Sequence, residues 1–292
     1  MQAPKAKKIP QLLETHGHQR TDNYYWMRER ENPEVVAYLN AENEYLKTSL
    51  KSTEDFQEKL FQEMKGRIKE DDESVPYFKS GYYWYVKYET GGEYPLYCRK
   101  KGSLESEEEV FLDVNILAEG KSYYQVGGTA ATSDLKILAF AADEVGRRIY
   151  EIHFKNLETG EILADHIPAI TGNYAWAADN ETLFYSKQDP ETLRSYQIYS
   201  HKLGTSTADD ILIYTEKDEE FSCVVHKTKS EKYILIHSES SISSEMRFLD
   251  AGNPTGEFTL LQARIPHLEY AADHYEDHFW IRTNLEAQNF KL

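Results

Sequence analysis

The chain has 292 residues, of which 40% are hydrophobic, and its 50 acidic and 33 basic side chains give a formal net charge of −17 at pH 7. This composition predicts a folded globular protein and excludes a disordered chain. So acidic a surface argues against nucleic acid as a partner, since phosphate binding requires a basic footprint. No apolar run is long enough to cross a bilayer, so we expect no membrane partner either.

The termini and cysteines bear on the cellular compartment. The first ten residues are charged but lack the apolar core of a secretory signal. Cys98 and Cys223 are the only cysteines, and two lone thiols fit a reducing compartment. We therefore expect a cytoplasmic protein. The negative charge either serves solubility or provides a field that attracts cationic peptides, and charge alone does not separate the two.

Residues 1–70 are predicted to form a helical segment. Asn32 followed by Pro33 is typical of a helix start, because asparagine caps the free backbone N–H groups and proline suits the first turn. Thr53 is the predicted cap of a second helix. Apolar residues recur at helical spacing in both. They are Val36, Leu39 and Leu46 in the first helix, and Phe56, Leu60 and Met64 in the second.

Residues 71–292 read as strands, after a linker at residues 69–76 in which acids and a proline cluster. Five similar blocks each place a polar turn before three apolar or aromatic residues, and most are followed by a second strand. The blocks are residues 79–84, 134–139, 180–185, 230–235 and 276–281. A period of roughly 45 to 50 residues with several strands per unit predicts a β-propeller. The alternative is a β-sandwich in which the spacing is a coincidence.

Several stretches resemble the prolyl oligopeptidase family, and within it the oligopeptidase B branch most closely. The residues that carry the resemblance near the N-terminus are Asp22, Tyr24, Trp26, Pro33, Glu34, Val35, Glu42 and Asn43. Further matching stretches are residues 93–102, 113–120, 143–161, 186–205, 215–221 and 270–284. The resemblance implies a seven-bladed propeller joined to an α/β-hydrolase domain. The fold expected here is mainly β, a partial propeller preceded by the helical segment.

The expected number of blades follows from the length. At roughly 48 residues per blade, residues 77–292 hold about four to five blades of the implied seven. We therefore interpret the chain as a fragment of a longer protein whose α/β-hydrolase domain is missing. An unfinished ring would leave an open strand edge and an uncovered blade face.

No catalytic residue is predicted in the chain. The serine nucleophile of an α/β-hydrolase requires a G-x-S-x-G elbow, and the only glycines with that spacing, Gly252 and Gly256, flank Pro254. His16 and His18, like the three histidines near the C-terminus, lack the spacing of a zinc site. Those three are His267, His274 and His278. We expect neither a metal nor a cofactor.

The candidate substrate-binding residues are Arg147 and Arg148. Two adjacent arginines between two strands of one blade could face a cavity and bind a carboxylate of a substrate or partner. The alternative is a surface ion pair with Asp143 or Glu144, which would contribute little.

The resemblance implies a serine oligopeptidase that cuts short peptides, preferably cationic ones, after Arg or Lys. The propeller would act as a substrate-size gate, and the helical segment would pack on the missing hydrolase domain. The chain alone should be inactive. Two alternatives remain open at this stage: a non-catalytic propeller-like protein-binding module, and a peptidase of the same family with proline specificity.

Overall fold

The computed structural model describes residues 2–292, which divide into two compact units. The first unit ends at Glu70 and the second runs from Asp71 to Leu292. Among the described residues, no helix combines the length and apolar character needed to cross a membrane.

The first unit contains a hairpin and two helices. Strands β1 (Gln11–Thr15) and β2 (His18–Asp22) are antiparallel, and they are followed by a 3₁₀ turn at Tyr25–Arg28. Helix α1 spans Pro33–Leu50, and a 3₁₀ turn at Lys51–Thr53 leads into α2, Glu54–Lys65.

The two predicted helix caps have different outcomes. The Asn32 side chain accepts a hydrogen bond from the Glu34 N–H at 3.0 Å, with Pro33 in the first turn, so this prediction is confirmed. Thr53 does stand immediately before α2, as predicted, but its side chain makes no cap hydrogen bond, so that part of the prediction is wrong. Its hydroxyl instead donates to the Leu50 carbonyl at 2.7 Å, since Thr53 still belongs to the preceding 3₁₀ turn.

The second unit is built from short antiparallel sheets. The first sheet has two short strands, β3 (Asp72–Glu73) and β4 (Tyr77–Lys79), pairing with one side of β5 (Tyr82–Tyr88). It continues through β6 (Leu96–Lys101) and β7 (Glu108–Asp113), and a short helix α3 (Val114–Leu117) follows. The predicted linker at residues 69–76 is therefore not wholly irregular, because β3 lies within it.

The middle sheet has seven strands because one long strand serves two blades. Its strands are β8 (Gln125–Ala131), β9 (Ile137–Asp143), β10 (Tyr150–Asn156), β11 (Ile162–Trp176), β12 (Thr182–Gln188), β13 (Ser195–Lys202) and β14 (Ile211–Thr215). The first part of β11 pairs with β10, and the part from Tyr174 to Trp176 pairs with β12. Strand β11 is thus the outer strand of one blade and then the inner strand of the next.

The last strands form one further full blade and a hairpin. The sheet β15 (Ser222–Lys227), β16 (Tyr233–Glu239), β17 (Ser244–Asp250) and β18 (Thr259–Gln262) is a four-stranded meander. Strands β19 (Tyr270–Tyr275) and β20 (His278–Thr283) form an antiparallel hairpin, and Thr283 at the end of β20 also forms an isolated bridge with Lys291. Counting the two parts of β11 separately, the unit contains blades 1 to 4 and the two strands of a fifth.

The apolar residues pack between blades, as expected for a propeller. In β12, Leu183 lies in the core between blades 2 and 3, whereas its neighbour Phe184 lies in the core between blades 3 and 4. In β16, Ile234 faces blade 3 and Leu235 faces the β19–β20 hairpin. Successive side chains of a strand point to opposite faces, so blades 2, 3 and 4 each bury both faces against their neighbours. This arrangement excludes the sandwich alternative.

The five sequence blocks mark one structural feature, the turn between the inner strand and the second strand of each blade. We call this end of the blades the first-hairpin end. Blades 2, 3 and 4 use the same four-residue turn with a left-handed residue at its third position. These residues are Leu135, Asn180 and Glu231, with φ of 60°, 60° and 61°. The repeat was therefore visible in the sequence because the turn and the following strand are local features.

Candidate functional site at the inner strands of the blades

The predicted residues Arg147 and Arg148 lie in the loop between β9 and β10, which is the second hairpin of blade 2. Because β9 runs away from the first-hairpin end, this loop lies at the opposite end of the blade. Buried Asp143 organises the loop by accepting the backbone N–H groups of Val145 and Gly146, both at 2.9 Å, and of Arg148 at 2.7 Å. Arg148 takes a left-handed conformation with φ of 57°.

Both arginine side chains are exposed, and within residues 2–292 neither guanidinium has an ion-pair partner within 4 Å. The surface ion pairs considered as the alternative do not form. Glu144 pairs instead with Lys121, and the Asp143 carboxylate is occupied by backbone N–H groups. The Arg148 carbonyl accepts a hydrogen bond from the Gln188 side chain at 3.0 Å, which ties the loop to blade 3.

A cavity of about 250 Å³ lies at the inner strands, towards the first-hairpin end. Its walls come from the inner strands, the adjoining second strands and the first-hairpin turns of four blades. Its lining includes Lys79 and Trp84 from blade 1, Thr129, Ser133 and Leu138 from blade 2, Asn173 and Trp176 from blade 3, and Lys227 and Glu231 from blade 4. It is therefore separate from the loop that carries the two arginines.

Polar contacts between turns of different blades surround the cavity. Lys79 of blade 1 and Glu231 of blade 4 form an ion pair at 2.6 Å. The Asp134 N–H contacts the Asn180 side chain at 3.3 Å, which links blades 2 and 3. Lys227 approaches the Ser133 hydroxyl at 3.5 Å, the limit of a hydrogen bond. Directional contacts of this kind fix the positions of the turns relative to one another.

Burial changes the titration of two groups that line the cavity. It lowers the pKa of the Lys227 ammonium, because removal from water disfavours the charged form. It lowers the pKa of His226 for the same reason, with the nearby His237 adding to the effect. Both groups therefore face an environment that is drier than bulk solvent.

The aromatic walls present carbon surface to the cavity, since their polar atoms are already engaged. The Trp84 indole N–H donates to the Lys79 carbonyl at 3.0 Å, and that of Trp176 donates to the Ala130 carbonyl at 2.9 Å. The Tyr174 hydroxyl donates to the Gly128 carbonyl at 2.6 Å, and burial raises the pKa of this phenol.

The histidines considered as metal ligands do not converge. His274 is buried, and its Nδ1 lies 2.9 Å from the Ser230 hydroxyl. The ring packs between Tyr233 and Phe279, with no carboxylate to orient it, so this pair lacks the geometry of a nucleophile and its base. Throughout residues 2–292, no group of three His, Cys, Asp or Glu side chains could hold a metal ion.

The sequence reasoning missed the cavity residues Thr129, Asn173 and Lys227. A lysine at the end of the apolar strand β15 was the one available signal, since a charged side chain inside a buried pattern is unusual. The other two are ordinary polar residues within strands. Only the fold brings these three blades together.

Comparison with known proteins agrees with this architecture. Residues 4–292 match the family model described as prolyl oligopeptidase, N-terminal beta-propeller domain. Dipeptidyl aminopeptidase BI of Pseudoxanthomonas mexicana is 42% identical over 99% of this chain, and Protease 2 of Moraxella lacunata is 34% identical over all of it. The chain spans 42% and 43% of the lengths of these two relatives.

Solved structures give the same result. Oligopeptidase B from Leishmania major superposes with a TM-score of 0.92 and 29% identity, covering 100% of this chain and 44% of that one. Oligopeptidase B from Trypanosoma brucei, in a closed form with covalently bound antipain, superposes with a TM-score of 0.88 and 28% identity. The match covers 98% of this chain and 43% of that one. The chain belongs to the prolyl oligopeptidase family, in which residues 4–292 match the N-terminal β-propeller domain.

Proposed function

We propose that this chain is the N-terminal and propeller portion of a serine oligopeptidase of the oligopeptidase B type, which cuts short peptides after Arg or Lys. The observation that carries the proposal is the similarity to oligopeptidase B from Leishmania major along the whole chain, with a TM-score of 0.92. The net charge of −17 supports a preference for cationic peptides, because a negative field raises their local concentration.

In this proposal the chemistry belongs to an α/β-hydrolase domain in the remainder of the parent protein. A Ser-His-Asp triad and an oxyanion hole there would perform the acyl transfer. The propeller would limit entry to short, flexible peptides and so act as a substrate-size gate. Two buried, unpaired cysteines support a cytoplasmic location.

The helical unit would pack on the hydrolase domain. Helix α2 buries none of its residues, and Phe56 and Met64 are 61% and 60% exposed. In α1, Val36, Leu39 and Leu46 are also exposed. Such apolar helix faces are unusual on a protein surface unless another surface covers them.

Arg147 and Arg148 are the proposed contacts to a substrate or partner carboxylate. Their exposed guanidinium groups lack an ion pair within the described chain, and the Asp143 network fixes the loop that carries them. In the parent protein, Arg148→Ala should lower kcat/KM by about tenfold, as expected for loss of one charge-assisted contact. The matched control is Lys101→Ala, which removes an exposed cation from the first-hairpin end of blade 1. An unchanged kcat/KM for Arg148→Ala would rule out this role.

A second candidate activity is removal of dipeptides from a free N-terminus. It is favoured by the name of the 42% identical relative, a dipeptidyl aminopeptidase. A proline-specific peptidase is a third candidate within the same family.

One assay separates these activities. The parent protein should release fluorophore from an N-terminally blocked Arg substrate, and much more slowly from a blocked Pro substrate. Preference for a dipeptide substrate with a free amino group would replace the first proposal by the second. The purified 292-residue chain should hydrolyse none of these substrates. Any activity that copurifies with it would contradict the proposal that catalysis belongs to the hydrolase domain.

A further inference from the structure

The cavity at the inner strands contains hydrogen-bond donors that no protein group uses. The Asn173 side-chain oxygen accepts from the Ser186 hydroxyl at 2.9 Å and from the Val225 N–H at 2.7 Å. The Val225 N–H bond determines the orientation of the amide, because a backbone N–H needs an acceptor and the NH₂ group cannot accept. Within residues 2–292, neither this NH₂ group nor the Thr129 hydroxyl has a hydrogen-bond partner. Both residues line the cavity.

Lys227 adds a positive charge that forms no direct ion pair within the described chain, and Glu231 and Asp179 act on it only from a greater distance. Its only hydrogen bond in the described chain is the 3.5 Å contact with the Ser133 hydroxyl. No carboxylate in that part of the chain lies within 4 Å of its ammonium, and the Glu231 carboxylate is engaged by Lys79 at 2.6 Å. Burial lowers the pKa of Lys227, so the ammonium lacks part of the hydration that an exposed lysine retains. An anion in the cavity would restore the missing interactions.

The remaining walls select for an apolar ligand body. The indoles of Trp84 and Trp176 have their N–H groups occupied, so they offer ring surface alone, and Leu138 adds aliphatic surface. A pocket with apolar walls and a few convergent polar groups is the usual form of a small-molecule site. At about 250 Å³ the cavity suits a ligand of one ring or one side chain.

We propose that this cavity binds a small carboxylate with an aromatic or aliphatic body, held by Lys227, Asn173 and Thr129. Its carboxylate accepts from the ammonium, the amide and the hydroxyl, and its body packs on the two indoles. The same chemistry is present in a free arylalkanoate and in the C-terminal residue of an apolar peptide. The inference does not depend on the proposed peptidase activity, because it concerns only groups within this chain.

Tryptophan fluorescence provides the test, since two of the four tryptophans line the cavity. We expect 3-phenylpropionate to change the emission saturably and 3-phenylpropionamide to bind at least about tenfold more weakly, since the amide lacks the charge. N-acetylglycylphenylalanine tests the peptide source: tighter binding than 3-phenylpropionate identifies a peptide C-terminus as the ligand, and weaker binding identifies a free carboxylate.

Substitutions then locate the site. Lys227→Met should weaken 3-phenylpropionate binding by about tenfold or more. Lys229→Met removes an exposed lysine from the adjacent turn and should leave binding unchanged. If Lys227→Met does not fold, Lys227→Arg should retain binding and Thr129→Val should weaken it severalfold.

Three results would overturn the proposal. They are equal binding of the acid and its amide, binding by Lys227→Met or Thr129→Val that equals that of wild type, and binding of inorganic phosphate as tight as that of 3-phenylpropionate. The last result would remove the role assigned to the apolar walls.

Discussion

Asp143 should be a strong determinant of both stability and the position of the arginine loop. Its side chain is fully buried, and its two carboxylate oxygens accept three backbone N–H groups from Val145, Gly146 and Arg148. Asp143→Asn keeps the shape of the side chain, but asparagine has only one acceptor oxygen where aspartate has two. If that oxygen keeps the first two bonds, the new NH₂ group faces the Arg148 N–H, and two donors then point at each other.

The expected cost can be estimated from these contacts. Loss of one hydrogen bond to a charged acceptor costs about 1.5–3 kcal/mol, and the two remaining bonds weaken because their acceptor becomes neutral. Relief from burying a charge offsets part of this loss. We therefore expect Asp143→Asn to reduce the free energy of unfolding by about 2 kcal/mol, measured by urea denaturation.

Hydrogen exchange distinguishes a local effect from a global one. The Arg148 amide should exchange at least about tenfold faster in Asp143→Asn than in wild type, because its acceptor is lost. Asp189→Asn is the matched control on blade 3, where a similar carboxylate accepts two backbone N–H groups in a more exposed loop. The loss of stability in Asp189→Asn should be smaller, because both N–H groups bond to one oxygen, which the asparagine retains. A free energy of unfolding within about 0.5 kcal/mol of wild type, with unchanged Arg148 protection, would refute the reasoning.

Three further measurements test the packing of the blades. Burial lowers the pKa of His226 and His237, so the unfolded state binds protons more readily below about pH 6.5, and the free energy of unfolding should fall as the pH drops below that value. The double variant His226→Gln and His237→Gln should make the free energy of unfolding, measured by urea titration, less dependent on pH. An unaltered dependence on pH would contradict the role given to these histidines. Burial raises the pKa of Cys98 to about 11 and that of Cys223 to about 12, so neither thiol should react with Ellman's reagent at about pH 8 until urea unfolds the chain. Phe184, fully buried between blades 3 and 4, should cost about 3–5 kcal/mol when changed to Ala, and a loss under about 1 kcal/mol in urea denaturation would be inconsistent with that packing.

The parts of the fold that could be predicted from sequence are those encoded within a few residues. The five turn blocks combine a turn with a following apolar strand, and all five coincide with the first hairpin of a blade or with the β19–β20 hairpin. Asn32 and Pro33 likewise marked the start of α1. Thr53 failed as a cap because a 3₁₀ turn continues directly into α2, and composition does not distinguish this junction from a free helix start.

The double role of β11 could not be predicted, because it depends on two partners. Its 15 residues form one continuous strand although Pro168 and Gly172 lie within it, and the change of pairing from β10 to β12 occurs between Ile170 and Tyr174. Gly172, with φ of 82°, lies within this segment and contacts the Tyr150 ring closely enough that an added Cβ would be 3.2 Å from it. The glycine was visible in the sequence, but the crossing between blades was not.

The candidate functional residues likewise divide into those that could be predicted from the sequence and those that could not. Arg147 and Arg148 stood out as an adjacent pair within one loop, whereas Thr129, Asn173 and Lys227 come from three blades. Apolar contacts between blades are non-directional, so they do not by themselves fix which polar groups meet at the inner strands. Directional contacts fix which polar groups meet there. The Val225 N–H of blade 4 donates to the side-chain oxygen of Asn173 in blade 3, so the NH₂ group of Asn173 is left available to the cavity. The hydrogen bond that joins these two blades therefore also creates the donor that the proposed carboxylate requires.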